Sequence, residues 1–351
     1  MTWTTAFLAA LGDPGGTPPF MPQPRSFSAQ TVRQAVRLRR GGRSLRLTLS
    51  NEFGRTPLVI DEVTVAGGVP VPHRGGTRWE IPPGETATSD PVPLATSAGD
   101  ELQVRCFVAG RAEPAAYLHS AQRTGEILPD AERFPSLYWI SRVHTDAPAT
   151  GSVVVALGDS ITRGDGTSAD RDQRYPDHLQ RRLLSAGIEG AVVLNAGIGG
   201  NRLLGPLFGP SMTERFARDV LGVPEVTHVL IMGGLNDLAM GSTAGDITAA
   251  LFALARRTQE HGAQPILGTI TPVGGSAYEM FQADGLEGER RAVNQAVTGQ
   301  RDWPVADFAT ALADPDDPTR LPAAFDSGDG VHPGDAGARA LAETVDLDLL
   351  K

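Results

Sequence analysis

The sequence Val153-Val154-Val155-Ala156-Leu157-Gly158-Asp159-Ser160-Ile161-Thr162 decides the fold of the second half of the chain. It starts with a continuous apolar run rich in β-branched residues and ends in turn formers, which is typical of a strand buried on both faces of a parallel sheet. Sheets of this kind place their chemistry just beyond the carboxyl ends of their strands. Ser160 lies there and is a candidate acyl-transfer nucleophile, although an isolated Gly-Asp-Ser is far more often an ordinary turn or helix cap.

The chain around this strand alternates between predicted strands and predicted helices. We expect strands near residues 152–157, 191–195, 226–232, 264–270 and 304–307, and helices that include 175–184, 249–257 and a closing segment at 335–343. This order predicts an α/β domain over residues 151–351, with a five-stranded parallel sheet covered by helices on both faces.

The residues before this domain have a different composition and hydrophobic pattern. Residues 1–30 are rich in Pro and Gly and predict an N-terminal arm, and short alternating runs follow without a convincing helix between them. Residues 36–39 and 45–49 are predicted to pair as a hairpin across Arg40-Gly41-Gly42-Arg43. The pattern predicts an all-β, jelly-roll-like sandwich domain over residues 31–145, joined to the α/β domain by a polar linker.

Three further segments follow predicted strands or close the α/β domain. They are Ala196-Gly197-Ile198-Gly199-Gly200-Asn201-Arg202, Gly233-Gly234-Leu235-Asn236-Asp237 and Asp326-Ser327-Gly328-Asp329-Gly330-Val331-His332-Pro333. With the Ser160 segment, and in this order, they resemble the sequence blocks of the SGNH (GDSL-type) hydrolases. The resemblance covers Val153 to the C-terminus and implies a flavodoxin-like fold and ester hydrolysis through a serine nucleophile, without a metal or other cofactor.

Ester hydrolysis by a serine needs a base and a group that orients the base. Of seven histidines, His332 alone lies in a Gly/Asp/Pro loop late in the α/β domain, beside carboxylates. Asp326, Asp329 and Asp335 could each orient it. The resemblance favours Asp329, because the acid and base of the family's last block are spaced as Asp-x-x-His; the alternative is a solvated turn without catalytic function.

The reaction also needs donors for the oxyanion. The candidates are the backbone N–H groups of Ser160 and Gly200 and the side-chain amide of Asn236. Gly199 is an alternative to Gly200, which is preferred because the family's glycine immediately precedes a polar residue, here Asn201. Asn236 could instead cap a helix.

Other polar residues are harder to assign. Tyr175, Arg202 and Thr271 are candidate substrate contacts, each equally explicable as packing or loop structure. Asp159 and Asp237 are expected to accept hydrogen bonds from nearby backbone N–H groups. No spacing of His, Asp and Cys resembles a metal site, and no phosphate-binding glycine motif follows the first α/β strand.

Composition limits the possible partners. The net charge of −10 argues against nucleic-acid binding, and no apolar run is long enough to span a bilayer, so we expect no stable membrane association. The single cysteine, Cys106, excludes an intrachain disulfide and is expected to be a buried structural thiol. The N-terminus does not resemble a signal peptide, which predicts a cytoplasmic protein or one recorded after signal removal. The sequence leaves the oligomeric state open.

The favoured function is a serine esterase that acts on a small-molecule or saccharide ester with a short acyl chain. A sandwich ahead of the hydrolase domain is similar to bacterial carbohydrate acetylesterases, which implies an O-acetylated sugar. The alternatives are a general carboxylesterase or lipase-like esterase on aryl or lipid esters, a catalytically silent glycan-binding protein, and a nucleotide or flavin binder. Trp79 and Trp139 could serve as sugar platforms in the glycan-binding alternative, but buried core aromatics are favoured.

Overall fold

The computed structural model describes residues 2–19, 21, 23–148 and 150–351, and the chain divides into two compact units at residues 149 and 150. The strands of the first unit are β1 Thr4–Leu8, β2 Phe27–Arg37, β3 Leu45–Ser50, β4 Leu58–Ile60, β5 Glu62–Val65, β6 Val69–Pro70, β7 Trp79–Ile81, β8 Thr86–Thr88, β9 Glu101–Ala112, β10 Tyr117–Leu118, β11 Gly125–Leu128, β12 Glu132–Phe134, β13 Leu137–Tyr138 and β14 Ile140–Thr145. The domain boundaries at 31–145 and 151–351 stay predictions.

Strands of the first unit pair in antiparallel fashion. The larger sheets have the orders β12-β11-β2-β9-β5-β6 and β1-β14-β3-β8, and β10-β13 and β4-β7 form two-stranded pairs. Alternate residues of β9, such as Leu102, Val104 and Cys106, are buried while their neighbours face outward, which is the pattern of a sheet with one face in a core. These sheets fit the predicted β-sandwich.

Two details of the first unit differ from the sequence-based predictions. The predicted arm contains β1, whose largely buried residues pair with β14, so this segment is part of a sheet. The predicted hairpin is wrong, because β2 pairs with β9 and β11 whereas β3 pairs with β14 and β8. Gly41 and Gly42 are needed for close packing: a Cβ on Gly41 would lie 2.2 Å from the Thr96 carbonyl oxygen.

The aromatic and thiol side chains singled out in this unit are structural. Trp79 and Trp139 are fully buried, and their indole N–H groups donate to the carbonyl oxygens of Val71 and Glu113. They are buried core aromatics, as favoured from the sequence, and neither can serve as a sugar platform. Cys106 is buried as predicted, and burial raises the pKa of its thiol to about 12.

The second unit alternates strands and helices. Its strands are β15 Val153–Gly158, β16 Val192–Gly197, β17 His228–Ile231, β18 Gln264–Gly268 and β19 Val305–Ala306; its helices are α1 Ser160–Arg163, α2 Tyr175–Ser185, α3 Met212–Phe216, α4 Leu235–Ala239, α5 Ala244–Glu260, α6 Leu286–Gly299, α7 Phe308–Leu312 and α8 Asp335–Thr344. A π-helical turn, Ala217–Leu221, continues α3, and short 3-10 turns lie at Pro14–Gly16 in the first unit and at Glu279–Phe281 and Leu347–Leu350 in the second.

The strands of the second unit form one parallel sheet in the order β16-β15-β17-β18-β19. Every residue of β15 is buried, as expected for a central strand covered on both faces. The chain moves from β15 outward to β16 and then returns to β17 on the other side, so the strand order reverses beside β15, where α/β sheets place ligands. The predicted fold class is confirmed.

Within the residues that the structure describes, no helix combines the length and the apolar character needed to cross a bilayer.

Candidate active site

Ser160 occupies the first turn after the central strand. Asp159 caps α1 by accepting a hydrogen bond from the Ile161 N–H at 3.0 Å, which fixes the turn that carries the serine. Ser160 is only 8% exposed, and its Oγ lies 2.9 Å from Nε2 of His332. The serine and the predicted base, 172 positions apart in sequence, are therefore in direct contact.

The loop before α8 carries both His332 and Asp329. Nδ1 of His332 lies 2.6 Å from Oδ2 of Asp329, while Oδ1 of Asp329 accepts from the backbone N–H groups of Val331 at 2.9 Å and His332 at 2.8 Å. The rival carboxylates have other partners. Asp326 accepts from the backbone N–H groups of two loop glycines, and Asp335 accepts from Ser168.

The electrostatics of the pair favour a charged carboxylate and a basic imidazole. Burial favours the neutral imidazole, but the hydrogen bond that His332 donates to Asp329 and the charges of Asp165, Asp329 and Asp159 outweigh it and raise the pKa of His332 above its usual 6.5. Burial also opposes ionisation of Asp329, yet its hydrogen bonds with His332 hold the pKa of that carboxyl well below its usual range. A serine hydroxyl beside such a base can be deprotonated as it attacks.

A second loop docks onto the His332 loop. The backbone N–H and the hydroxyl of Ser168 each donate to the Asp335 carboxylate at 2.7 Å. Gly166 has a φ of +85°, and a Cβ there would lie 3.0 Å from Cβ of His332. The segment after α1 therefore packs directly against the loop that carries the base, and glycine is required at this close approach.

Besides Ser160, two oxyanion donors are predicted: Gly200 lies in the loop after β16, and Asn236 is in the first turn of α4. Gly200 has a φ of +65°, which disfavours any side chain. One of the two hydrogens of the Asn236 amide is used, since Nδ2 donates to the Asn201 carbonyl at 3.0 Å. This bond joins the Asn236 turn to the residue immediately after Gly200.

Asp159 and Asp237 bind loops together, as predicted. Oδ2 and Oδ1 of Asp237 accept from the N–H groups of Leu203 and Leu204 at 2.6 Å and 3.0 Å. Burial raises the pKa of Asp159 to about 6. Among the described residues, no cluster of three or more His, Cys, Asp or Glu could hold a metal ion.

The three predicted substrate contacts lie in different environments. Tyr175 is fully buried with its hydroxyl 3.2 Å from Oγ1 of Thr162, so it packs beneath α1 and the predicted contact is wrong. Arg202 is ion-paired with Asp237 at 3.4 Å and is partly exposed. Thr271 is buried, and its hydroxyl has no hydrogen-bond partner among the residues that the structure describes.

A small cavity lies beside the nucleophile turn. Thr271 forms part of its wall, together with Asp159, Ile161, Met232, Gly233, Leu235 and Ile270. Two of these residues flank the proposed chemistry, because Ile161 follows Ser160 and Leu235 precedes Asn236. The cavity is therefore lined by the sequence neighbours of Ser160 and Asn236, and neither Ser160 nor Asn236 is one of its lining residues.

Two residues of the site, Tyr278 and Arg215, are not predicted from the sequence. The Tyr278 hydroxyl donates to Oδ2 of Asp329 at 3.3 Å, and its ring meets His332 edge to face at 6.3 Å between centroids. Arg215 is fully buried beneath the loops that carry Ser160 and Gly200. A helical Arg215 four residues from Asp219 could have been noted as an ion pair, but the sequence carries no sign of its burial.

Comparison with known proteins connects this geometry to one family. The model of the GDSL-like lipase/acylhydrolase family matches residues 156–340, slightly more than half of the chain. No curated protein matches the chain.

Several solved structures are similar to a little more than half of the chain. A lipolytic protein of the G-D-S-L family from Desulfitobacterium hafniense is 20% identical, with 55% of this chain and 97% of that chain covered and a TM-score of 0.44. The inhibitor-bound aryl esterase of M. smegmatis is 17% identical, with 57% and 100% covered and a TM-score of 0.46. The acetyl xylan esterase AlAXEase is 22% identical, with 55% and 96% covered and a TM-score of 0.42.

Proposed function

The chain belongs to the GDSL-like lipase/acylhydrolase family and is an ester hydrolase, and from this premise we propose that it is a serine esterase for short acyl chains. The observation that carries the proposal is the hydrogen-bonded chain from Ser160 Oγ to His332 Nε2 and from His332 Nδ1 to Asp329. It supplies a nucleophile, a base and a group that orients the base.

In the proposed reaction, Ser160 Oγ attacks the ester carbonyl carbon while His332 Nε2 accepts the hydroxyl proton. The N–H groups of Ser160 and Gly200 and the amide of Asn236 stabilise the oxyanion. Collapse of the tetrahedral intermediate expels the alcohol, which takes the proton from His332 and leaves an acyl-serine. His332 then deprotonates a water molecule that attacks the acyl group, and the acid leaves as Ser160 regains its proton.

The cavity between Ile161 and Leu235 supports a short acyl chain. Its lining is mostly apolar and its volume is only about 10 Å³, which suits a group no larger than methyl on the carbonyl carbon that Ser160 attacks. Among short acyl esters, O-acetylated carbohydrates are the first candidates, on the resemblance of the two-domain chain to carbohydrate acetylesterases.

A second candidate is an ester with a hydrophobic alcohol. Four large apolar side chains are exposed on loops after the strands of the parallel sheet or after α4, namely Leu204, Met240, Tyr278 and Met280. The Tyr278 ring contacts His332, and α4 contacts the turn that contains Met280. An aryl or alkyl alcohol that leaves in the reaction would gain apolar contact with the Tyr278 ring beside His332.

The test measures hydrolysis of p-nitrophenyl acetate, butyrate and octanoate and of an acetylated sugar. Ser160→Ala should lower kcat by about 10⁴-fold or more, whereas Ser185→Ala, at an exposed position at the end of α2, should leave it unchanged. A higher kcat/KM for the acetylated sugar than for the octanoate supports the first candidate, and the reverse supports the second. Equal activity of wild type and Ser160→Ala would refute the serine mechanism.

A further inference from the structure

The guanidinium of Arg215 joins the ends of two strands beneath the proposed oxyanion site. Its Nη2 donates to the Gly158 carbonyl of β15 at 2.9 Å, and its Nη1 donates to the Ala196 carbonyl of β16 at 2.8 Å. Nε donates to Oδ1 of Asn201 at 2.9 Å, and Nη1 also contacts Asp219 at 3.0 Å. One side chain with no solvent exposure thus bonds to three separate segments.

The acceptors flank the residues that would bind the oxyanion. Gly158 is two residues before Ser160, and Asn201 immediately follows Gly200. Asn201 is itself fully buried, with its amide donating to the Pro210 carbonyl at 2.9 Å and its backbone carbonyl accepting from Asn236. Arg215 therefore contacts the framework of all three proposed donors.

A buried arginine is a costly way to gain stability alone. The charge is balanced by Asp219, which also accepts from Arg218, but well-packed apolar side chains often match or exceed the stability of a buried ion pair. What the guanidinium adds is a rigid planar fork that holds several acceptors in fixed relative directions. Lysine, with one rotatable ammonium, cannot reproduce that geometry.

We propose that Arg215 is a positioning residue of the oxyanion hole, which holds the Ser160 turn and the Gly200 turn so that their N–H groups converge on one oxygen. The inference rests on the proposed esterase function. It predicts that loss of the guanidinium weakens binding of the transition state while substrate binding and the basicity of His332 stay as they are.

The test compares Arg215→Lys with Arg182→Lys in the full chain. Arg182 is a matched control, because it donates to the carbonyls of Ala342 and Val345 at the far end of α8, away from Ser160. We expect Arg215→Lys to lower kcat by about 10- to 100-fold, with KM and the midpoint of the pH profile unchanged. The inhibition constant of 1,1,1-trifluoro-2-butanone, which forms an anionic adduct with an active serine, should rise by a similar factor.

Several results would overturn the inference. One is an Arg215→Lys enzyme with wild-type kcat; another is a loss of kcat that active-site titration attributes entirely to fewer active molecules, with the inhibition constant unchanged. If Arg215→Lys does not fold, Asn201→Ala keeps the guanidinium but removes its Nε acceptor, together with the amide that donates to the Pro210 carbonyl. This variant should still lower kcat and weaken the inhibitor together. A wild-type enzyme no more active than Ser160→Ala refutes the proposed function, and this inference with it.

Discussion

Replacement of Asp329 by asparagine reverses the direction of one hydrogen bond at His332. Oδ1 of Asp329 accepts from two backbone N–H groups, so the asparagine must place its carbonyl oxygen there. Its NH₂ group then takes the place of Oδ2, which lies 2.6 Å from His332 Nδ1. Because an amide nitrogen can only donate, Nδ1 must become the acceptor and the imidazole proton moves to Nε2, facing Ser160.

An imidazole with its proton on Nε2 cannot accept the serine proton. The comparable substitution in a serine protease triad lowers kcat by about 10⁴-fold, which corresponds to about 5.5 kcal/mol at 1.36 kcal/mol for each factor of ten. We expect a loss of this order for Asp329→Asn, measured as kcat on p-nitrophenyl acetate. Thermal unfolding should show that the variant remains folded at the assay temperature.

Asp329→Ala distinguishes the effect of the wrong imidazole tautomer on activity from the effect of losing the carboxylate charge. Without a donor opposite Nδ1, the imidazole can keep its proton there, and the Asp329 side chain is 25% exposed, so formate can reach the vacated space. Formate should therefore restore part of the activity of Asp329→Ala and none of that of Asp329→Asn. Activity of Asp329→Asn within tenfold of wild type, or its rescue by formate, would refute this reasoning.

Three further measurements follow from the site. Because the pKa of His332 is raised and the base acts as neutral imidazole, kcat/KM should increase with pH through a midpoint above 6.5; a midpoint at or below 6.5 in the pH profile contradicts this. Gly200→Ala should lower the free energy of unfolding by about 1–3 kcal/mol and reduce kcat, since its Cβ would lie 2.2 Å from the Phe208 ring; Gly262→Ala, with a similar positive φ but open space around it, is the control and should keep full kcat. Thr271→Val removes a buried hydroxyl without a partner and should raise the free energy of unfolding by about 1 kcal/mol with kcat unchanged; a raised KM would instead indicate that the hydroxyl binds substrate.

The parts of the site that the sequence predicts are those encoded in short segments. Ser160 follows a recognisable buried strand, and Asp329 and His332 share a loop whose spacing alone brings them together. The contact between Ser160 and His332 could be expected from the position of Ser160 at a strand end and, because His332 lies in a loop between two helices rather than at a strand end, from the family resemblance.

The other features of the fold and the site depend on tertiary packing, which local sequence patterns do not indicate. Arg215 and Asp219 have the i, i+4 spacing of an ordinary solvated ion pair, and only the placement of α3 under the strand ends makes them a buried junction. Tyr175 begins a helix, where sequence does not decide between the cleft and the core. Gly41-Gly42 has the composition of a hairpin turn, but the requirement is close contact with the neighbouring backbone.

Because Asp329 is anchored by the backbone of the loop that carries His332, acid and base form a single rigid body. The geometry of the site then depends on the position of this rigid body relative to the Ser160 turn. Two contacts fix that position: Gly166 packs against His332, and Ser168 donates hydrogen bonds to Asp335. A disturbance of these contacts would separate the nucleophile from an intact acid–base pair. Inactivation would then change the fraction of competent molecules, with the turnover of each competent molecule preserved.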